Sequence, residues 1–253
     1  MDIVPIPAFR DNYIWLLQQG RNAAVVDPGD AAPVRSYLDR HRLKLSAILV
    51  THHHGDHAGG IEALVRDAPV PVFGPARENI PGVTVRLAEP RTVRITELGL
   101  ELAVLDVPGH TRGHIAYYRA NLLFCGDTLF ACGCGRLFEG SAEQMWTSLA
   151  KLAALPGATR VYCAHEYTRA NIEFALAVEP HNTALQARAR QVDTLREQGL
   201  PTVPSTIAEE LATNPFLRVA EPAVQAAASR FRGHALASAV EVFAAVREWK
   251  NRF

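Results

Sequence analysis

Four apolar, strand-like runs each end in a histidine or an aspartate, and this recurrence constrains the chain more than any other feature. Leu45 to Val50 leads into Thr51-His52-His53-His54-Gly55-Asp56-His57. Leu102 to Val107 leads into Pro108-Gly109-His110-Thr111-Arg112-Gly113-His114. Leu122 to Cys125 leads into Gly126-Asp127-Thr128, and Arg160 to Ala164 into His165-Glu166. Short runs of apolar and β-branched residues read as buried strands. Ligands of open α/β sheets bind outside the carboxyl ends of the strands. One histidine after one strand is more often a cap or a core residue; four such exits in series make a site.

The first exit is the richest. His52, His54, Asp56 and His57 place three imidazoles and a carboxylate within six consecutive positions. These donors suit zinc, iron and manganese. A single tetrahedral ion has little use for four donors packed so closely, whereas two ions side by side use them all, and such a pair is a hydrolytic device. Ala58 to Val65 reads as the opening of a helix, which leaves the histidines in a loop. A histidine-rich surface turn is the alternative, and the three later exits argue against it.

The rest of the chain sets limits. Its 253 residues suffice for one sizeable core and a small second unit. The formal net charge is zero, which argues against a nucleic-acid partner. No apolar stretch approaches membrane-spanning length, and Met1 to Pro5 lacks a secretory pattern. Cys125, Cys132, Cys134 and Cys163 form no C-x-x-C pair. They are expected to be free, buried thiols in a reducing, cytoplasmic setting.

The texture changes near residue 166. Before it, short strands and glycine-rich turns alternate with helical stretches at Asp30–Arg42, Gly59–Arg66 and Ser141–Leu152. After it, helical spacing runs through Thr168–Val178, Thr183–Gln198, Pro222–Phe231 and Ala235–Asn251, with few strand signals. Leu185, Val192 and Leu195 form an apolar stripe. Thr206 and Glu209 form a capping box before Leu211, and Leu200 to Pro204 breaks the helices. Strand–helix alternation in residues 1–166 allows either a four-layer sandwich or a doubly wound sheet.

The residues H-x-H-x-D-H (His52 to His57), G-H-T-x-G-H (Gly109 to His114), G-D-T (Gly126 to Thr128) and the late His165 resemble the metallo-β-lactamase superfamily. Arg10-Asp11-Asn12-Tyr13, Gly133 to Gly140, Ala164 to Thr168 and Thr213-Asn214-Pro215-Phe216-Leu217-Arg218 resemble the glyoxalase II (hydroxyacylglutathione hydrolase) family. The resemblance spans the chain, and its motifs are specific. It implies a four-layer αβ/βα sandwich in residues 1–166 and a helical, glutathione-binding domain in residues 167–253. It implies that His52, His54 and His110 hold one divalent metal and that Asp56, His57 and His165 hold the other. Asp127 would bridge the two, and a metal-bridging hydroxide beside Asp56 and Asp127 would attack a thioester carbonyl. Zinc is the expected metal, with iron or manganese open. His53 and His114 lie outside this ligand set. His114 is expected to orient a ligand or a turn.

Glutathione carries two carboxylates, so cationic contacts are expected. Arg247 and Lys250 stand at i,i+3 on one helical face. Taken alone they read as a solvated basic face; by resemblance they clamp the glycine carboxylate. Arg136 and Tyr167 match further glutathione contacts. Where eukaryotic members carry Lys-Phe-Tyr, this chain has Arg136-Leu137-Phe138. Phe138 has no hydroxyl to donate, which implies weaker glutathione binding. The implied activity is hydrolysis of S-(2-hydroxyacyl)glutathione, chiefly S-D-lactoylglutathione, by a monomer acting on a small-molecule substrate. A mononuclear-iron persulfide dioxygenase, a lactonase or β-lactamase, and a non-catalytic metal-binding module are the rivals. The complete ligand set and the helical tail weigh against them.

Overall fold

Both faces of the first sheet are buried, and the residue alternation shows how. The computed structural model describes all 253 residues. The sheet runs in chain order through β1 (Asp2–Ala8), β2 (Asn12–Gln19), β3 (Asn22–Val26), β4 (Lys44–Leu49), β5 (Val72–Pro75) and β6 (Val85–Leu87). In β2, Tyr13, Trp15 and Leu17 face the large core, while Ile14 and Leu16 face a second, smaller one. Successive strand residues point to opposite faces, so a strand covered on both sides needs apolar residues at nearly every position. The smaller core is completed by Val34 and Leu38 of α1 (Ala31–His41), and by Ile61 and Leu64 of α3 (Ile61–Asp67). Asp30 starts α1 by accepting from the Ala32 amide.

The second sheet has the order β14-β13-β10-β9-β8-β7. Its members are β7 (Thr92–Ile95), β8 (Leu100–Asp106), β9 (Ile115–Arg119), β10 (Leu122–Gly126), β13 (Arg160–Cys163) and β14 (Ser205–Thr206). A small hairpin, β11 (Leu129–Phe130) with β12 (Gly133–Cys134), stands apart. The inner faces of the two sheets meet in a core of 45 buried residues that includes Trp15, Leu49, Val104 and Phe124. Each such side chain contributes roughly 1.5–3 kcal/mol by leaving water. The Trp15 indole crosses this layer and donates to the Cys163 carbonyl at 2.8 Å. Helix α4 (Ala142–Ala153) adds Met145, Leu149 and Leu152 to the same core, and Ser141 with Gln144 closes a capping box at its start. The result is the α+β four-layer sandwich, not a doubly wound sheet.

The remaining helices are α5 (Thr168–Val178), α6 (Thr183–Glu197), α7 (Ile207–Thr213), α8 (Pro222–Arg232) and α9 (Ala239–Arg252). Four of these match the sequence expectation within a residue or two at most ends. The exception is the start of α9, which Ser238 caps by accepting from the Glu241 amide. Thr206 caps α7 through the Glu209 amide, but the reciprocal half of the expected capping box is not formed. The helical region also returns β14 to the edge of β13, which its sequence did not indicate. One local reading is corrected. Asp56 and His57 are not in a loop but on the single turn α2 (Gly55–Ala58), and Gly59-Gly60 separates that turn from α3. Close approach explains these glycines: a side chain on Gly60 would meet the Pro28 carbonyl at 2.5 Å. All four cysteines are free and buried. No helix is long and apolar enough to cross a membrane.

Candidate metal centre and active site

Strands β8, β10 and β13 run in one direction through the second sheet, as β3, β4 and β5 do through the first. Their carboxyl ends meet, tied by hydrogen bonds from the Ile115 amide to the Thr51 carbonyl (3.0 Å) and from the Tyr13 amide to the Ala164 carbonyl (2.7 Å). All four predicted exits therefore converge on one place. Gly126 adopts φ +49°, and a side chain there would meet Thr51 Oγ1 at 2.3 Å. This left-handed residue turns the chain so that Asp127 faces inward.

Two groups of donors result. His52, His54 and His110 form one, and Asp56, His57 and His165 the other. In the first, His54 Nδ1 lies 3.0 Å from both His52 Nε2 and His110 Nε2. In the second, Asp56 Oδ2 lies 3.4 Å from His57 Nε2 and 3.5 Å from His165 Nε2. Asp127 faces both groups. Its Oδ1 is 3.4 Å from His57 Nε2 and from His165 Nε2, and its Oδ2 is 3.4 Å from His110 Nε2. His54 Nδ1, with one proton or one in-plane lone pair, cannot fully satisfy both neighbouring nitrogens. His57 Nε2 and Asp127 Oδ1 are buried with no hydrogen-bond partner in the protein. Buried polar atoms are seldom left unpaired, so the residues present fit divalent cations in both groups.

The atoms behind the donors differ between the groups. In the first, His52 Nδ1 meets the Thr51 hydroxyl (3.1 Å) and His110 Nδ1 the Arg136 carbonyl (2.9 Å). In the second, His57 Nδ1 meets Asp27 (3.1 Å), His165 Nδ1 meets Asp11 (2.8 Å), and Asn12 donates to Asp56 (3.0 Å). Titration follows this difference. Burial pushes His52, His54 and His110 down. Burial also opposes charge on His57, but Asp127 and Asp27 outweigh it and push that imidazole well up. His165 rises for the same reason, through Asp127 and Asp11. Asp56 is held below the usual carboxylate range by the His57 ring, and Asp127 by His57 and His165 against the cost of its burial.

Sequence reasoning missed Asp27. It stands at the exit of β3, a fifth strand ending in an acidic residue, so the same signal would have found it. Its position among His52 and His57 resembles a third metal group. Its oxygens are already engaged, however: they accept from the Thr51 amide (2.7 Å), Thr51 Oγ1 (2.7 Å) and His57. Asp27 therefore orients ligands and does not supply one. Glu78 was also missed. It is buried, accepts from Thr111 Oγ1 and the Gly113 amide, and meets His53, so it ties together the two loops that carry the first donor group. His114 stacks on His52 and accepts from the Asp127 amide (3.2 Å), which is the orienting work expected of it.

A cavity of about 470 Å³ opens from this centre. His110 and Asp127 line it on the metal side, and Arg136 and Arg247 stand near Lys250 in the same lining. Phe130, Phe138 and Tyr167 supply apolar walls. Tyr167 stacks on His165 with the rings nearly parallel (4.6 Å, 5°), and burial beside Asp11 raises its hydroxyl pKa. Phe138 is largely exposed and sets its ring edge against His54 and His110. Lys250 donates to the Ala170 carbonyl (2.9 Å), and burial near Arg247 lowers its pKa to about 8. Arg247 is not the solvated residue that a lone basic face would present. It is buried over the Phe216 ring and donates to the Cys134 carbonyl (2.8 Å), while its Nε has no partner.

Residues 8–165 match the metallo-β-lactamase superfamily, and residues 166–253 match the hydroxyacylglutathione hydrolase C-terminus. The hydroxyacylglutathione hydrolase of Alkalilimnicola ehrlichii is 60% identical over 253 residues, with 99% of each chain covered. The chain belongs to the hydroxyacylglutathione hydrolase family. The Nitrosomonas europaea member is 56% identical over 100% of this chain and 97% of its own. Among solved structures, ETHE1 from Myxococcus xanthus aligns with a TM-score of 0.65 and 26% identity, covering 86% of this chain and 84% of that one. TTHA1623, solved in a di-iron-bound form, aligns at 0.60 and 25%, covering 86% and 100%. The chain is a hydrolase of the metallo-β-lactamase superfamily, with His/Asp clusters suited to metal ions.

Proposed function

We propose that this enzyme hydrolyses S-(2-hydroxyacyl)glutathione, chiefly S-D-lactoylglutathione, to glutathione and D-lactate. The observation that carries the reading is the single cavity joining Asp127 and His110 to Arg136, Arg247 and Lys250. A thioester whose acyl end reaches the metal donors would place its peptide carboxylates among these cations. The names of the full-length relatives support the same substrate.

His52, His54 and His110 would hold one divalent ion, and Asp56, His57 and His165 the other, with Asp127 facing both. Such ions supply Lewis acidity for the carbonyl and acidify water at neutral pH. The chain's own part is to keep Asp56 and Asp127 ionised and to hold His57 and His165 with Nε2 facing inward. Phe130, buried against the His165 ring, excludes water on that side of the cavity. Arg136, Lys250 and the free donors of Arg247 orient the glutathionyl end. The leaving group is a thiolate, so no strong general acid is required.

Zinc is the proposed resident metal. Residues 1–166 form the proposed catalytic unit and 167–253 the glutathione-binding unit, in a cytoplasmic monomer. The test is loss of thioester absorbance with S-D-lactoylglutathione, with metal assayed on the same sample. Hydrolysis with close to two ions per chain supports the reading. Two ions without hydrolysis would overturn the substrate, and one iron with oxygen uptake on glutathione persulfide would replace the reaction.

A further inference from the structure

The hairpin of β11 and β12 forms one wall of the cavity through Phe130 and Cys134. Beyond its own pairing, much of its backbone is held by side chains from the helical region. Asn214 Nδ2 donates to the Phe130 carbonyl (3.1 Å) and the Gly133 carbonyl (3.0 Å). Asn171 donates to the Ala131 carbonyl (3.0 Å), and Arg247 to the Cys134 carbonyl (2.8 Å). The Cys132 amide donates to Glu210 Oε2 (2.8 Å), and Cys132 sits at φ +54°, a conformation that costs a non-glycine residue energy. Something must therefore keep the turn in place.

Glu210 is the hub. It is fully buried, as is Asn214, and Arg188 is nearly so. Its Oε2 accepts from both the Cys132 amide and Asn214 Nδ2 (2.9 Å), while its Oε1 accepts from Arg188 (2.7 Å). Arg188 also donates to Thr213 (2.6 Å). Both sides of the Glu210 head group thus present donors, and only a carboxylate accepts on both sides. The Thr213-to-Arg218 motif gains a physical purpose here. Asn214 holds the hairpin, Phe216 lies under the Arg247 guanidinium, and Arg218 is anchored on Glu179 (2.8 Å).

We propose that Glu210 is a positioning residue for the thioester substrate. It acts through the 130–134 hairpin and Asn214 to set the cavity wall and the Cys134 carbonyl that orients Arg247. The inference rests on the glutathione-thioester reading above. The hydrogen bonds of the network reach none of the metal donors, and only the Phe130 ring stands against one, His165, so the network should govern substrate binding more than the metal centre.

In Glu210→Gln the amide must turn its NH2 toward either Arg188 or the hairpin donors. The expected result is a rise of about tenfold in KM for S-D-lactoylglutathione, the size of one buried charged hydrogen bond, with kcat and metal content unchanged. Hydrogen exchange of the 131–134 amides should quicken in parallel. The double variant Arg188→Met with Glu210→Gln frees the amide oxygen to face Cys132 and Asn214. It should bring both KM and exchange back toward wild type. An unchanged KM in Glu210→Gln, a parallel loss of kcat and metal, or no recovery in the double variant would overturn the proposal. If the wild type itself leaves the thioester intact, the functional reading falls, and the exchange series alone decides whether Glu210 holds the hairpin.

Discussion

The two ends of the active-site cavity are built on different plans. At the metal end, side chains leave the ends of buried strands, and most are gripped from behind by a second residue: Thr51, Asp27, Asp11, Asn12 or the Arg136 carbonyl. At the cationic end only Arg247 is buried and held, by the Cys134 carbonyl; Arg136 is exposed, and Lys250 rests on one carbonyl and two aromatic faces. The first plan leaves little freedom and suits chemistry that fails with small displacements. The second tolerates adjustment and suits recognition of a flexible, charged substrate. Damage at the metal end should therefore appear in kcat and metal content, and damage at the cationic end in KM.

The largest effect is expected at the residue that faces both donor groups. Asp127→Ala should lower kcat by about a thousandfold or more and reduce the bound metal below two per chain, measured by turnover and elemental analysis together. Full metal content with near-normal turnover would break the comparison at its strongest point. Next comes the backing shell. Asp11→Asn removes the carboxylate behind His165, and metal affinity of the Asp56 group should fall by about 10- to 100-fold. Competition with a chelator should then release one equivalent early while the second remains; simultaneous release of both would show that the groups do not act separately.

At the other end, Lys250→Ala should raise KM by about tenfold through loss of a charge-assisted contact, with kcat held. The pH profile sharpens this. The lysine is protonated and able to meet a carboxylate below its pKa of about 8, and it loses that charge as pH rises through it. The ratio kcat/KM should accordingly decline above about pH 8, and Lys250→Arg should carry the plateau to higher pH. A decline seen in kcat instead would assign it to the metal end. The smallest effect is expected from Phe138→Tyr, which restores a hydroxyl at the cavity mouth. KM should fall about two- to tenfold, the range of one ordinary hydrogen bond, and an unchanged KM would remove Phe138 from the account of affinity.

The donors were legible because strand patterning and ligand chemistry coincide in them. Each apolar run ended within one residue of a strand end, and His52, His110, Asp127 or His165 followed within three positions. Helix α5 was legible to the residue because Thr168 to Val178 carries helical spacing between clear breaks. Two ions side by side were legible in the first exit itself; the assignment of His110, His165 and Asp127 to them, and the layered stacking of the sheets, came only with the family resemblance. Strand–helix alternation does not say which sheet faces which. Asp11 and Asn12 were visible as a motif without a role, since their partners His165 and Asp56 lie 154 and 44 residues away. The turn α2 was misread because its four residues are too few to show a period. The link from Glu210 to Cys132 spans 78 residues and leaves no local signature.

Strand β14 carries one last consequence. Arg160 and Val161 pair with Thr206 and Ser205, so the helical region supplies the final rung of the second sheet. The same region contributes Phe174, Phe216 and Phe243 to the core shared by both sheets. A chain cut after residue 166 would expose an unpaired strand beside a freshly opened apolar face, the arrangement most prone to self-association. The molecule should accordingly melt as one cooperative body, and a nascent chain would not reach a soluble state until its last helix had left the ribosome.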